Sequence, residues 1–334
     1  MERKSIVILI ALLIGCSPYS LPEPKESIPR EDAFTYYQES MWEYEAGRYQ
    51  NALEKIQYAI TIHQNFAQFF KLEGDIYKDM MDHDRAIQSY EKAILQRSNF
   101  IEVHKSMGEI YVKQGNYQQA IKSYRKILAL DPKELDMYLR IAQCYIALEE
   151  LEIALNNLTD YARNSNIYFS PETDEYYVLK GIAYYNLSRY EDVVRELGPL
   201  ERQENINSDI LYLLGRSYYA LDKYEEGLRC FNRLITRDGG VGEYFYYRGI
   251  YFYIKEDYVD ALEQLNYALQ LDHSLGKAHY YLGKIYEHRW DVHKALSEFR
   301  IYRESDDHFD DIDEIDEIIL KLENLKEVVT DSSR

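Results

Sequence analysis

The sequence is poor in cysteine and in basic residues, and each shortage narrows its possible functions. Three cysteines in 334 residues provide no disulfide framework, and we expect Cys144 and Cys230 to be buried free thiols. Lysine and arginine number 39 against 58 aspartate and glutamate residues, for a formal net charge of −19. Phosphates and anionic lipid surfaces repel so acidic a chain, and we therefore expect no nucleic-acid partner.

Long apolar runs are also missing, with one exception near the N-terminus. Residues 6–14 form an unbroken apolar run that is too short for a permanent membrane-spanning helix. Because the run follows a short segment that contains Arg3 and Lys4, it fits the hydrophobic region of a secretory signal peptide. The segment closes with Leu13-Ile14-Gly15-Cys16.

This ending resembles the lipobox of bacterial lipoproteins, in which apolar and small residues precede the lipidated cysteine. The resemblance implies a removable signal peptide at 1–15 and a lipid on Cys16 that anchors the chain to a membrane. Ser17 stands where the inner-membrane retention signal of some bacteria has aspartate, and it therefore implies the outer membrane. Residues 16–32 contain four prolines, which favour an extended tether. An ordinary signal peptide with a chance cysteine is the alternative.

No pattern of residues typical of an enzyme occurs in the chain. There is no phosphate-binding glycine loop and no nucleophile elbow, and the eight histidines are scattered. His288 and His293, five residues apart, form only a weak metal pair. We therefore expect no catalytic residue, no metal and no cofactor, and a protein that works by binding.

A period of 34 residues covers most of the chain. Small residues recur in eight frames, which start at 33, 67, 101, 135, 174, 208, 242 and 276. Every step is 34 residues except one of 39. Position 8 is held by Ser40, Gly74, Gly108, Ala142, Gly181, Gly215, Gly249 and Gly283, and position 20 by Ala52, Ala86, Ala120, Ala154, Val193, Gly227, Ala261 and Ala295.

This pattern resembles the tetratricopeptide repeat, a pair of antiparallel helices whose small residues allow close packing. The resemblance implies an all-α, right-handed superhelical solenoid of about eight hairpins, because each hairpin leaves an apolar face for the next to cover. It places repeats one to four at 33–168, and an insertion with repeats five to eight at 169–309. The fullest match lies in repeat three, with Gly108, Tyr111, Ala120, Tyr124 and Pro132.

Three departures from a regular repeat are expected. Ser40 and Glu43 in repeat one suit an end unit that faces water. Ser170 and Pro171 in the five-residue insertion predict the start of a longer first helix in repeat five, with a loop insertion or a hinge as the alternatives. Residues 310–334 carry apolar residues at helical spacing, which predicts a helix that caps the last repeat.

The tetratricopeptide family lines a concave groove with the first helix of each repeat, and positions 2, 5, 9, 12 and 13 point into it. In repeats five to eight these positions are rich in tyrosine, which is rigid, amphipathic and frequent in interfaces. The alternative is that the tyrosines pack on one another. We predict a partner-binding groove formed by Tyr185, Tyr212, Arg216, Tyr219, Tyr246, Tyr253 and Tyr280.

The groove of repeats two and three is predicted to differ, because it mixes charges of both signs. Chaperone-binding repeats hold a carboxylate with lysine at position 5 and asparagine at position 9. Here Lys71 is followed by Asp75 and Lys105 by Glu109, so that clamp is absent.

The features together imply a non-catalytic scaffold, anchored by lipid in a bacterial cell envelope, that binds a protein or peptide partner. Two alternatives remain open at this point. One is a surface adhesin that binds a host protein. The other is a groove or pore that carries a hydrophobic small molecule within a transporter complex.

Overall fold

The computed structural model describes residues 30–168, 171–305 and 312–332, and these residues form an all-α repeat fold. They comprise seventeen α-helices and one short 3₁₀ helix, without any strand in the described ranges. The helices belong to two compact units, divided between Gly115 and Asn116. The predicted signal peptide, Cys16 and most of the tether lie outside the described residues.

The first unit contains five helices that pack in chain order. The closest pairs are α1 with α2 and α3 with α4, and α2–α3 and α4–α5 are also in contact. Its core is built around the buried alanines and aromatic rings of these helices. The helices are α1 (Arg30–Glu45), α2 (Tyr49–Ile62), α3 (Ala67–Asp79), α4 (His83–Gln96) and α5 (Ile101–Lys113).

The second unit contains the other twelve α-helices, and these also pack in chain order. They are α6 (Tyr117–Leu130), α7 (Asp136–Ala147), α8 (Leu151–Ile167), α9 (Asp174–Asn186), α10 (Tyr190–Leu197), α11 (Ser208–Ala220), α12 (Tyr224–Arg237), α13 (Gly242–Ile254), α14 (Tyr258–Leu271), α15 (Gly276–His288), α16 (Val292–Glu304) and α17 (Ile312–Ser332). The 3₁₀ helix, Gly198–Arg202, directly follows α10.

Helix boundaries follow the 34-residue frames of the small residues. In each of the eight repeats, the second helix begins at frame position 17, from Tyr49 in repeat one to Val292 in repeat eight. The first helices begin at frame position 1 in repeats two, three and five to eight, and α7 begins one residue later. The period of the small residues therefore locates the helices to within one residue over most of the chain.

Glycine at position 8 lets the two helices of a repeat come together. A Cβ atom on Gly74 would lie 2.5 Å from the Tyr90 ring, and one on Gly283 would lie 2.8 Å from the Phe299 ring. Both aromatic rings occupy position 24 and are fully buried. Large residues at position 24 thus fill the space that the missing side chain leaves.

All eight turns between paired helices place position 15 in the left-handed backbone region. Only Gly47 and Gly115 are glycines there, and six other residues adopt φ values between 57° and 63°. Each non-glycine residue costs about 1 kcal/mol in this conformation. Because the geometry recurs whatever the residue, helix packing fixes the turn. The six are Met81, Glu149, Ser188, Asp222, Glu256 and Trp290.

Ser40 does not face water, and the expectation for repeat one is wrong at this residue. The side chain is fully buried, and its hydroxyl donates a hydrogen bond of 2.7 Å to the carbonyl oxygen of Ala52. Ser40 and Ala52 hold positions 8 and 20. A serine is small enough for this close helix contact, and the bond to the neighbouring helix satisfies its hydroxyl group.

The insertion before repeat five does not extend the following helix, contrary to the prediction. Pro171 lies outside helical structure, and α9 begins at Asp174. Thr173 is the N-cap, because its hydroxyl accepts a 3.3 Å hydrogen bond from the backbone N–H of Tyr176. Ser170 lies outside the described residues. Some of the additional length is used by α8, which runs for 17 residues.

Repeat five has a short second helix, and two arginines of repeat six hold the loop that follows it. Arg233 donates a hydrogen bond of 2.8 Å to the carbonyl oxygen of Gln203 and a second to that of Glu201. Arg237 donates bonds of 2.5 and 2.9 Å to the carbonyl oxygens of Ile206 and Glu204. Guanidinium groups thereby satisfy backbone oxygens that a longer helix would have paired.

The last helix caps repeat eight, as predicted. Ile315, Ile319 and Leu322 of α17 are buried in one cluster with residues of α16. Arg303 adds an ion pair of 2.7 Å with Asp316. The apolar end of the second unit is therefore covered within the chain.

Candidate functional site

The seven residues predicted to form the groove lie on the first helices of repeats five to eight, all within the second unit. We call this set the tyrosine surface. Tyr185 belongs to α9, and the other members belong to α11, α13 and α15. Arg216 contacts the rings of Tyr185 and Tyr212, and further rings outside the set contact the other members. The set comprises Tyr185, Tyr212, Arg216, Tyr219, Tyr246, Tyr253 and Tyr280.

Two members are buried, so for them the alternative that the tyrosines pack on other rings describes the structure. Tyr219 is 9% exposed and Tyr246 is 8% exposed. The Tyr219 ring lies over Gly227, where a Cβ atom would be only 2.4 Å away. Its hydroxyl donates a 2.6 Å hydrogen bond to the carbonyl oxygen of Tyr247. The four remaining tyrosines are partly exposed, namely Tyr185, Tyr212, Tyr253 and Tyr280.

Two tyrosines at position 6 link the predicted members, and the sequence reasoning missed both. The ring centroid of Tyr247 lies 5.0 Å from that of Tyr219 and 5.1 Å from that of Tyr246. Tyr281 lies 5.1 Å from Tyr253 and 5.3 Å from Tyr280. A signal existed in the sequence, since position 6 is tyrosine only in repeats seven and eight.

A second layer of rings supports the surface from within the same unit. Tyrosines at position 17 lie 5.2 Å from Tyr185, 5.6 Å from Tyr219 and 6.0 Å from Tyr253, measured between ring centroids. Phe231 is fully buried and stacks on Tyr247, with centroids 4.3 Å apart and planes at 9°. These contacts limit how far the rings can move before any partner binds.

Arg216 is the charged residue at the centre of the tyrosine surface. Its guanidinium carbon lies 4.6 Å from the ring centroid of Tyr185 and 5.3 Å from that of Tyr212. The hydroxyl of Tyr212 donates a 2.6 Å hydrogen bond to Glu243 of the next repeat. One polar chain therefore joins the first helices of repeats five, six and seven.

In the first unit, charged residues occupy the corresponding positions, as predicted. Lys71 donates a 2.5 Å hydrogen bond to Asp75, whose other oxygen accepts a 2.7 Å bond from Tyr90. Lys78 forms an ion pair of 3.7 Å with Glu109. Because Asp75 engages Lys71, that lysine is not arranged for a carboxylate of a partner, in agreement with the missing clamp.

The hydroxyl groups of Tyr212 and Tyr219 in the tyrosine surface, and of Tyr247 beside it, should make the protein less stable in alkali. Burial raises the pKa of Tyr219 and Tyr247 above the ordinary value near 10, and burial with the bond to Glu243 does so for Tyr212. Since the folded protein binds these protons more tightly than the unfolded chain, stability is unaffected below about pH 10 and falls above it.

Urea titrations at pH 8, 10 and 11 would measure this loss as a decrease in the free energy of unfolding. A triple variant with Tyr212→Phe, Tyr219→Phe and Tyr247→Phe has no such protons at these sites. We expect its stability to fall less steeply above pH 10 than that of the wild type. Equal slopes for the two proteins would contradict the assignment.

Comparison with known proteins agrees with the repeat geometry. Models of the tetratricopeptide repeat match residues 72–100, 101–134 and 212–275. The chain is a tetratricopeptide repeat protein. The match at 212–275 contains five of the seven members of the tyrosine surface. Among curated proteins, no sequence matches that of this tetratricopeptide repeat protein.

Solved structures share its fold at low sequence identity. A tetratricopeptide repeat protein from Parabacteroides merdae ATCC 43184 has a TM-score of 0.52 and 14% identity, over 76% of this chain and 98% of its own. A chain of the APC/C hetero-tetramer Cut9-Hcn1 has a TM-score of 0.54 and 13% identity, over 82% of this chain and 52% of its own. Both similarities are similarities of fold.

Tetratricopeptide repeats generally act as non-catalytic modules that bind protein partners. Within the described ranges, no group of three or more histidine, cysteine, aspartate or glutamate residues could hold a metal ion. Cys144 and Cys230 are buried free thiols, as expected. None of the described helices is both long enough and apolar enough to span a membrane.

Proposed function

We propose that this tetratricopeptide repeat protein is an envelope scaffold that binds a protein partner through its tyrosine surface and is anchored by a lipid on Cys16. One observation carries the binding part of the proposal. Tyr185, Tyr253 and Tyr280 remain partly exposed, while the rings of Tyr190, Tyr281 and Tyr302 pack against them and limit their movement. Rings that are already ordered lose little conformational entropy when a partner binds.

The chemistry of this surface favours a protein segment as its partner. Each tyrosine offers an apolar ring face and a hydroxyl group, so the surface accepts apolar side chains and polar backbone groups together. Ile182 and Ile254, on the first helices of repeats five and seven, are also partly buried against the same core cluster. An extended peptide or an amphipathic helix has this alternation of apolar and polar groups.

The anchoring part of the proposal is supported by the N-terminal sequence. An apolar run directly precedes Cys16, and Ser17 follows it. By resemblance to bacterial lipoproteins, this order supports lipid attachment at Cys16 and a location at the outer membrane. The proline-containing segment up to residue 32 would then separate the repeats from the membrane surface.

Affinity capture from detergent-solubilised envelopes tests the binding part. The bait is the full chain, compared with a triple variant carrying Tyr185→Ser, Tyr253→Ser and Tyr280→Ser. We expect the variant to retain less than about a tenth of the captured partner, because partly exposed aromatic anchors dominate interface energies. Tyr267→Ser is the matched control, since Tyr267 is 41% exposed on the second helix of repeat seven.

The binding part is wrong if the triple variant keeps its helicity and still captures the same partners in the same amounts as the wild type. A partner that is lost equally from Tyr267→Ser would also count against the tyrosine surface. Loss confined to the triple variant supports it, and the captured protein then identifies the envelope process.

Membrane fractionation tests the anchoring part separately. Replacing Cys16 with serine removes the thiol that would carry the lipid, and the variant should leave the membrane fraction. Cys144→Ser is the matched control, because Cys144 is a buried free thiol in the second unit and should leave the distribution unchanged. Retention of the Cys16→Ser variant in the membrane fraction would contradict lipid anchoring at this residue.

A further inference from the structure

Arg216 occupies an unusual environment within the tyrosine surface. The side chain is only partly exposed, and tyrosine rings of two consecutive repeats lie against its guanidinium group. Contacts of this kind favour arginine because its planar cation is weakly hydrated and stacks on aromatic faces. The two ring contacts fix the plane of the guanidinium group, but they place no negative charge against it.

The hydrogen-bond partner of Arg216 is a neutral oxygen. Its Nη1 donates a 3.3 Å bond to the hydroxyl of Tyr212. The Nε–H group is buried and has no partner. Among the residues that the structure describes, no carboxylate lies within 4 Å of this arginine.

Glu243 is the nearest acid in this network, and it is connected only indirectly. Its carboxylate accepts a hydrogen bond from the hydroxyl of Tyr212. That hydroxyl in turn accepts a hydrogen bond from Arg216. Many other arginines contact a carboxylate directly, as in the 2.5 Å pair of Arg189 with Asp192. Arg216 is therefore a partly desolvated cation that lacks a matched anion, an arrangement with an electrostatic cost.

We propose that Arg216 binds a carboxylate group of the partner, so that the tyrosine surface recognises a segment with an acidic side chain or a free C-terminus. The inference rests on the proposed function, because it concerns the same surface. A carboxylate can accept two parallel N–H bonds from a guanidinium, and the flanking rings already hold that group in plane. The ligand would supply the charge that Arg216 lacks.

The rest of the surface accounts for selectivity. Six of its seven members are tyrosines, so a carboxylate alone would gain little from it. A segment with apolar side chains around one acidic group would cover the rings and place its charge at Arg216. The acidic character of the chain, with a net charge of −19, disfavours segments that carry several acids.

Selection from peptide display tests the inference on the full chain. One library presents random peptides with a free C-terminus, and a second presents them with the C-terminus blocked. We expect the wild type to select apolar peptides that share one carboxylate at a fixed place. Arg216→Gln should weaken binding of a selected peptide about tenfold or more, and Arg216→Lys should weaken it less.

Arg248→Gln is the matched control for the loss of a stacked arginine. Arg248 belongs to the next repeat, lies 5.0 Å from the ring centroid of Phe245 and donates to Gln264 of the second helix. We expect this variant to bind the selected peptide like the wild type. Amidating the peptide C-terminus, or replacing its acids by amides, then shows which carboxylate Arg216 contacts.

The outcomes separate the inference from the function on which it rests. Selected peptides without a conserved carboxylate, or equal binding by Arg216→Gln, would overturn the carboxylate site and leave a binding surface in place. Selection of no peptide by the wild type would overturn both. A selected peptide that loses affinity equally with Arg216→Gln and Arg248→Gln would show that Arg216 has a structural role only.

Discussion

Replacing Phe231 with alanine is expected to lower the free energy of unfolding by about 3–5 kcal/mol. Phe231 is fully buried, and its ring fills the space beside Gly215, where a Cβ atom would lie 2.9 Å away. The same ring stacks on Tyr247 and contacts Tyr219 at 5.7 Å between centroids. Alanine would leave a cavity between the two helices of repeat six, because their backbones are already in close contact.

Urea unfolding followed by circular dichroism at 222 nm measures this effect. Phe231→Leu should cost less, since leucine refills part of the cavity. Phe34→Ala is an exposed counterpart, because Phe34 is 40% exposed in the first unit, and its cost should stay below about 1 kcal/mol. A Phe231→Ala protein within 1 kcal/mol of the wild type would show that the ring does not support repeat six.

The same substitution should also weaken partner binding, although Phe231 is inaccessible. Tyr247 would lose the ring on which it stacks, and Tyr219 would lose a neighbour. The tyrosine surface would then be less ordered before binding and would lose more entropy on binding. This effect distinguishes a preorganised surface from a set of independent tyrosines.

Sequence periodicity predicts most of this fold because the repeat depends on a few small residues. Glycine or alanine at positions 8 and 20 determines where two helices meet, and the helices then follow at fixed offsets. The frame that contains Gly215 and Phe231 illustrates this, since their spacing alone indicates the contact that the structure shows. The helix start near the insertion at 169–173 was harder to predict from the sequence. Both the Ser-Pro pair and Thr173 are typical of a helix N-terminus, and the structure uses Thr173.

The burial of the surface tyrosines could not be predicted in the same way. The ring of the next repeat does not decide whether a tyrosine at position 12 is exposed. Tyr219 lies 5.0 Å from Tyr247 and Tyr253 lies 5.1 Å from Tyr281, but only Tyr219 is buried. The tyrosines could be located from the sequence, but their exposure depends on how closely the helices and rings pack.

Gly227 provided a signal in the sequence for the burial of Tyr219. It is the one glycine at position 20, where the other repeats have alanine or valine. A Cβ atom there would lie 2.4 Å from the Tyr219 ring and 3.1 Å from the carbonyl oxygen of Gly215. The glycine therefore creates the space in which this tyrosine is buried.

Replacing Gly227 with valine should accordingly destabilise the protein by about 3 kcal/mol, through overpacking of repeat six. The Tyr219 ring would have to leave its place, because the backbone of Gly215 blocks the other direction. Its hydrogen bond to the Tyr247 carbonyl would be lost as well. Gly227→Ala should have a smaller cost, since alanine adds one carbon and favours helix formation.

A double-mutant cycle identifies the cause of this loss. In a Tyr219→Ala background the clash with the ring is absent, so Gly227→Val should cost less than half as much as in the wild type. Gly198→Ala is the control, because the nearest atom to its added Cβ is 3.9 Å away, and stability should be nearly unchanged. If the cost of Gly227→Val were the same in both backgrounds, Tyr219 would not be the residue that requires a glycine there.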